Sequence, residues 1–372
     1  MAKSLFLITI GAAGSGKGFI MQNLMNFIAS QYSDVKDTTN LNYARIDDYI
    51  ELDENFIKES LNIVIKGILP DQDLTNYVKT LKNMNNTSNE INNYLTTNQL
   101  SNNLSKLENL ADSFSKIYFQ TRKKYDKIND LNLNKWINAR ENIVFETTGQ
   151  SKFDWIFEHT PLNDPDVLKD YIVIVVYPYV SKDIILSRAL NRFIVRVNDA
   201  IDLGNIMETT TPENQNFIQY VNNIKHGNKI NNIKPEAPRL PKLITGEYPL
   251  LNSIPAIQDN IADYIINCAQ TQDNVITSII LYDNMTYTPI ISVNLGCKKV
   301  IKFTEECTNT ASFQKKYSTS LTPKLLNAIN LINTLCNEQH NNTNILLGGN
   351  EDMYYRKYMK YKNKYNKKRH NK

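Results

Sequence analysis

The chain has 372 residues, enough for one large domain with insertions or for a domain with appendages. Hydrophobic residues make up 41% and charged residues 22%, the balance of a globular protein, and no apolar run reaches the length of a membrane span. The net charge is only +4, from 42 basic and 38 acidic side chains, and much of the excess follows Tyr354, which excludes a fold that is basic over its whole surface.

Residues 5–10 form a compact apolar run and read as a buried strand. One lysine and no cleavage-type segment precede it, which is not how a signal peptide is built, so a cytosolic chain is expected. The run enters Gly11-Ala12-Ala13-Gly14-Ser15-Gly16-Lys17-Gly18, and a helical pattern over 19–31 follows. Further strands are expected at 43–46, 142–145, 171–177 and 275–282, with helical patterns at 54–68, 107–127 and 182–196. Strand alternates with helix, as a parallel sheet with crossovers requires, so the fold class is α/β with flanking helices.

Two segments interrupt this plan. Residues 71–130 are Asn-rich and read as a helical hairpin with a mobile middle near 83–103. Residues 198–248 begin in a basic helix and end in Pro235-Glu236-Ala237-Pro238-Arg239-Leu240-Pro241, which cannot be helical throughout and suits a lid. The main domain is thus expected over 1–285. A hairpin at 288–303 and a helix at 323–335 fill an extension over 286–336, followed by a polar linker at 337–352 and a basic Tyr/Lys tail at 353–372. In that tail Tyr354, Tyr358, Tyr361 and Tyr365 share one face of a helix. Cys268, Cys297, Cys307 and Cys336 are far apart with no CxxC pair, so neither a zinc site nor a disulfide framework is expected.

The Gly-rich loop carries the strongest chemical signal. Small residues between a strand and a helix let backbone N–H groups converge on phosphate oxygens, the helix N-terminus adds a positive dipole end, and Lys17 reaches the β- and γ-phosphates. The residue after Lys17 is Gly18 where a Ser or Thr hydroxyl ordinarily meets the metal, so Mg²⁺ is expected to rest on water and carboxylates or to bind weakly, and no metal ligand is assigned. The second expected strand ends in Arg45-Ile46-Asp47-Asp48-Tyr49, which brings a carboxylate, Asp47 or Asp48, to the edge of the sheet where ligands of open α/β folds bind. Either acid suits the base, or metal partner, that a kinase of hydroxyl groups needs, and either also suits a helix cap. Glu146 ends the third strand and suits acceptor binding. Arg188, Arg192 and Arg196, spaced by four, are expected to stack on one helix face, where they would neutralise triphosphate charge or form a solvated face.

With these motifs in this order, the chain resembles the zeta-toxin type of P-loop kinase over residues 5–200, and Ile279-Ile280-Leu281-Tyr282-Asp283-Asn284 resembles the closing strand of that branch. The resemblance implies a P-loop kinase-like sheet that binds ATP or GTP with Mg²⁺ and phosphorylates a hydroxyl of a small molecule or nucleotide sugar. It implies a phosphate grip by Lys17, a base at Asp47 or Asp48, acceptor contact at Glu146 and lid arginines among Arg188, Arg192 and Arg196. The competing expectation is a catalytically degenerate nucleotide-binding or scaffold protein. The tail resembles the Lys-Tyr repeats that end many proteins of giant DNA viruses, which implies an appended segment for RNA or a protein partner, in the host cytoplasm.

Overall fold

The structure is a computed structural model that describes residues 2–83, 102–150, 154–203, 215–230, 232, 234–242, 250–270, 275–286, 288–294, 299–303 and 317–331. The middle of the first insertion at 84–101, the linker, the Tyr/Lys tail and the side chains of all four cysteines lie outside the described residues.

Seven strands form one sheet: β1 (Ser4–Ile10), β2 (Asn42–Ala44), β3 (Ile143–Thr147), β4 (Tyr171–Tyr179), β5 (Ser278–Asp283), β6 (Thr288–Asn294) and β7 (Lys299–Phe303). Their order is β2-β3-β1-β4-β5-β6-β7. The first five are parallel, and the hairpin expected at 288–303 adds β6 and β7 antiparallel at one edge. β1 sits between β3 and β4, with Phe6 opposite both Ile143 and Val173. All seven of its residues are buried, which is why its sequence reads as a continuous apolar run rather than an alternating one.

Alternation nevertheless decides which layer each side chain joins. Leu5 and Leu7 cluster with Met21, Leu24 and Ile28 of the helix Met21–Gln31, which covers one face. Phe6, Ile8 and Ile10 point the other way, into the core formed with Phe114, Phe193 and Ile257 from three different helices. Each such side chain contributes about 1.5–3 kcal/mol by leaving water.

The first insertion is a helical hairpin of Gln72–Asn83 and a long helix, Asn102–Asn138. That second helix runs 37 residues, well past the expected 107–127, because no Gly or Pro interrupts it before β3. In the second insertion the helix Gln215–His226 buries Phe217, Tyr220 and Val221 against Phe56, Ile57 and Leu61 of the helix Glu54–Gly67. The Pro-punctuated stretch 235–241 forms neither helix nor strand, with Ala237 and Leu240 buried. Residues 323–331 are helical, within the expected 323–335. No helix among the described residues is long and apolar enough to cross a membrane.

Candidate active site

The chain leaves β1 toward β2 on one side and returns through β3 to β4 on the other. The crevice at the C-terminal ends of β1 and β3 is therefore the switch point of the sheet, where open α/β folds bind ligands. The Gly11 N–H donates to the Thr147 carbonyl at 3.2 Å, which ties the Gly-rich loop to the end of β3. Two tight turns shape the loop, closed by Ser15 N–H to the Ala12 carbonyl (3.1 Å) and Phe19 N–H to the Gly16 carbonyl (3.0 Å).

Gly16 has φ of +75° and Asn284 packs directly against it, so a β-carbon there would lie 2.2 Å from the Asn284 Nδ2. That Nδ2 donates to the Ser15 carbonyl and pins the loop to the end of β5. The backbone N–H groups of Ala13, Gly14, Gly16, Lys17 and Gly18 have no hydrogen-bond acceptor among the described residues. Ser15 is buried and its Oγ also lacks a partner among them. Unpaired donors clustered on a Gly-rich loop between a strand and a helix fit a phosphate. The Lys17 ammonium donates to the Gly11 carbonyl at 2.7 Å. Desolvation lowers its pKa, Glu146 and Asp47 pull it up, and Arg192 and Arg239 add to the lowering.

Gly18 offers no hydroxyl, and among the described residues no group of three His, Cys, Asp or Glu side chains could hold a metal ion.

Asp47 and Asp48 open the short helix Ile46–Glu51, but they occupy different surroundings. Asp47 lines a cleft of about 320 Å³ together with Lys17, Glu146, Tyr118 and Thr147, whereas Asp48 is not among the lining residues. The Tyr118 hydroxyl donates to Asp47 Oδ1 at 2.6 Å, and Arg239 Nη1 lies 3.3 Å from Oδ2. Arg239 also stacks on the Tyr118 ring at 3.9 Å and stands 3.7 Å from Glu51. Desolvation alone would raise the Asp47 pKa, but Arg239, the Tyr118 hydrogen bond and Lys17 outweigh it and hold the carboxyl below its ordinary value. Asp48 moves the other way, raised by desolvation and by Glu146, Glu51 and Asp47 against the opposing pull of Arg45. Burial pushes the Tyr118 phenol up to about 12, so it stays a donor. Glu146 pairs with Arg45 at 2.7 Å, and that guanidinium rests over the Tyr43 ring at 4.2 Å.

The three expected arginines separate. Four residues advance a helix by 400°, so each step drifts by about 40° and the series fans across the helix Lys182–Asp202. Arg188 stands beside the loop, its Nη1 about where a Gly16 β-carbon would touch it at 3.3 Å. Arg192 is exposed and near enough to Lys17 to depress its pKa. Arg196 is buried and engaged elsewhere: it pairs with Glu51 at 3.2 Å and with Glu236, and donates to the Ala237 carbonyl at 3.1 Å.

Sequence reasoning missed Tyr118 and Arg239, the two side chains that hold Asp47. Arg239 carried one weak signal, a cation fixed between Pro238 and Pro241, but nothing in the sequence states where that rigid stretch lands.

The fold and loop define an α/β protein with a mostly parallel sheet and a strand, Gly-rich loop and helix compatible with a P-loop-like fold. No protein-family model matches the sequence, and no curated protein matches it.

Proposed function

We propose that the protein binds a nucleoside triphosphate, ATP or GTP, on Gly11–Gly18 and transfers its γ-phosphoryl group to a hydroxyl of a small molecule or nucleotide sugar, in the manner of a zeta-toxin-type kinase. The observation that carries this reading is the single cleft that opens on Lys17, Asp47 and Glu146 together, beside a loop with unpaired amides. In this reading the acceptor oxygen bonds to the γ-phosphorus, its proton passes to Asp47, and the bond to the β-phosphate oxygen breaks to leave a nucleoside diphosphate. A carboxylate held charged by Arg239 and Tyr118 is a weak base, so its work is to orient the hydroxyl and to receive the proton late, as suits a loose phosphoryl-transfer transition state. Lys17, with Arg188 and Arg192 at the loop's flank, offsets phosphate charge. No step is assigned to a metal; Gly18 brings no hydroxyl to one, so a Mg²⁺ carried by the triphosphate would rest on phosphate oxygens, water and the cleft carboxylates and would offset phosphate charge there.

Gly18 favours a second reading, a nucleotide-binding module without turnover. Titration calorimetry of ATP and GTP, with and without Mg²⁺, separates the two. Lys17→Ala is expected to weaken triphosphate binding at least tenfold, roughly 1.4 kcal/mol. Equal affinity of wild type and variant, or no binding by either, overturns the site. Tight binding indifferent to Mg²⁺, with no turnover against any hydroxylated acceptor, leaves the binding module.

A further inference from the structure

Gly18 sits where a nucleotide loop ordinarily sets a hydroxyl against the metal, and a guanidinium stands beside it. The backbone does not demand glycine there, since Gly18, unlike Gly14 and Gly16, has no positive φ. A β-carbon built on Gly18 would meet Arg45 Nη2 at 3.5 Å and no other atom of the described residues within 4 Å, leaving aside its chain neighbours. A serine or threonine would put its side chain into the space next to that guanidinium, and glycine keeps the approach open.

The same Nη2 lies 2.7 Å from Glu146 Oε1 at the C-terminal end of β3. Side chains alternate along a strand, so Glu146 shares the face of Val144, which packs with Met21 and Leu24 of the helix that follows the loop. Glu146 is thus the carboxylate on the loop's own side of the sheet. One guanidinium touches both positions between which a loop-bound Mg²⁺ would be held, the residue after Lys17 and the acid that ends β3. Arg45 lies over the Tyr43 ring at 4.2 Å, which fixes its plane, and it lines the cleft with Lys17 while 26% of its side chain stays exposed.

We propose that Arg45 is a built-in cation for the triphosphate, occupying the place of the divalent metal, so that the protein binds ATP or GTP without Mg²⁺. This rests on the reading of residues 11–18 as a nucleotide loop. A guanidinium is always charged and presents its donors in a fork, so one edge stays on Glu146 while another meets a phosphate oxygen beside Lys17. A Mg²⁺ arriving with the nucleotide must displace Arg45 from Glu146 or do without that carboxylate, and it adds little affinity. Binding indifferent to Mg²⁺ then follows from Arg45 and is compatible with turnover.

The test is calorimetry of ATP and GTP with the full chain, in EDTA and in excess Mg²⁺. The quantity read is the ratio of the two affinities within one protein, so a general loss of stability cancels, and melting temperature checks the folding of each variant. In the wild type the ratio is expected to stay within about threefold of one. Arg45→Met keeps an apolar side chain over Tyr43 and frees Glu146 for a metal. Affinity in EDTA should fall at least about tenfold, and Mg²⁺ should restore much of it. Adding Gly18→Ser to that variant should raise the dependence on Mg²⁺ further, and Arg45→Lys, which keeps the charge but not the fork, should fall between. A wild type that binds only with Mg²⁺ overturns this proposal and spares the kinase reading. An equal loss in both media for Arg45→Met, or none, also overturns it and assigns Arg45 to packing. No binding by the wild type in either medium removes the nucleotide loop itself, and this proposal with it.

Discussion

The two sides of the cleft are built in opposite ways. The loop side is local: β1, residues 11–18 and the helix Met21–Gln31 are contiguous in sequence, and their positive-φ glycines and small residues follow directly from the composition. The Asp47 side is assembled from afar, since Tyr118 reaches Asp47 across 71 positions and Arg239 arrives from the second insertion. Local geometry is written in residue types and spacing. Long-range geometry depends on how two insertions pack, which no spacing rule contains. The local half should therefore fail sharply on single backbone changes, and the assembled half by degrees.

The largest effect is expected at Gly16. Gly16→Val forces a β-branched residue into φ of +75° and into Asn284, which costs about 1–3 kcal/mol in strain before the clash is counted. Triphosphate binding should fall below detection by calorimetry and the melting temperature should drop. A variant that binds normally would mean that the loop does not hold this conformation when it meets phosphate.

Arg196 sharpens the comparison, because it was expected among the phosphate ligands and is found in the packing of the second insertion. Arg196→Met removes one side of a buried ion-pair group and should destabilise the fold by about 3 kcal/mol in chemical denaturation. Nucleotide affinity should stay at the wild-type value wherever the variant is folded. A loss of affinity with unchanged stability would return Arg196 to the phosphate site.

The smallest effect belongs to Tyr118. Tyr118→Phe keeps the ring under Arg239 but removes the donor to Asp47, at a cost of about 1 kcal/mol near neutral pH. The Asp47 pKa is depressed in the folded state, so the stability it brings is present above the unfolded carboxyl value of about 3.9 and is lost as pH falls through the lower folded value. The difference between wild type and variant should therefore persist from neutral pH down to about 4 and narrow only as pH falls further, and the acid limb of any transferase pH profile should move to higher pH in the variant. A pH-independent difference would assign Tyr118 to packing alone.

Asp47 and Asp48 show where legibility stops. Their arrival at the sheet edge was readable, because a strand followed by a helix start delivers both to the same corner. Which of them enters the cleft was not, because adjacent helix residues point about 100° apart and the choice depends on how the helix Ile46–Glu51 docks on the long helix. The arginine series fails for a related reason: a spacing of four keeps neighbours close but lets the first and third diverge, and the acids that claim Arg196 sit at positions 51 and 236. Asn284 is a similar case. It opens the sequon Asn284-Met285-Thr286, expected to go unused in a cytosolic chain, but only the fold shows that it is fully buried with its amide donating to the Ser15 carbonyl.

By itself the sequence determined the parallel α/β plan, the strand–loop–helix unit around Lys17, the helical hairpin of the first insertion and a hairpin at 288–303, but not that this hairpin extends the main sheet. Each of these is set by hydrophobic period, by glycine and by breakers acting over a few residues. Only the tertiary structure decided that Tyr118 and Arg239 hold Asp47, that Arg196 serves the packing, and that the long helix lines the cleft beside Lys17 and Glu146. Those pairings join residues tens to hundreds of positions apart, and they are fixed by the packing of whole helices against the sheet rather than by any local preference of the chain.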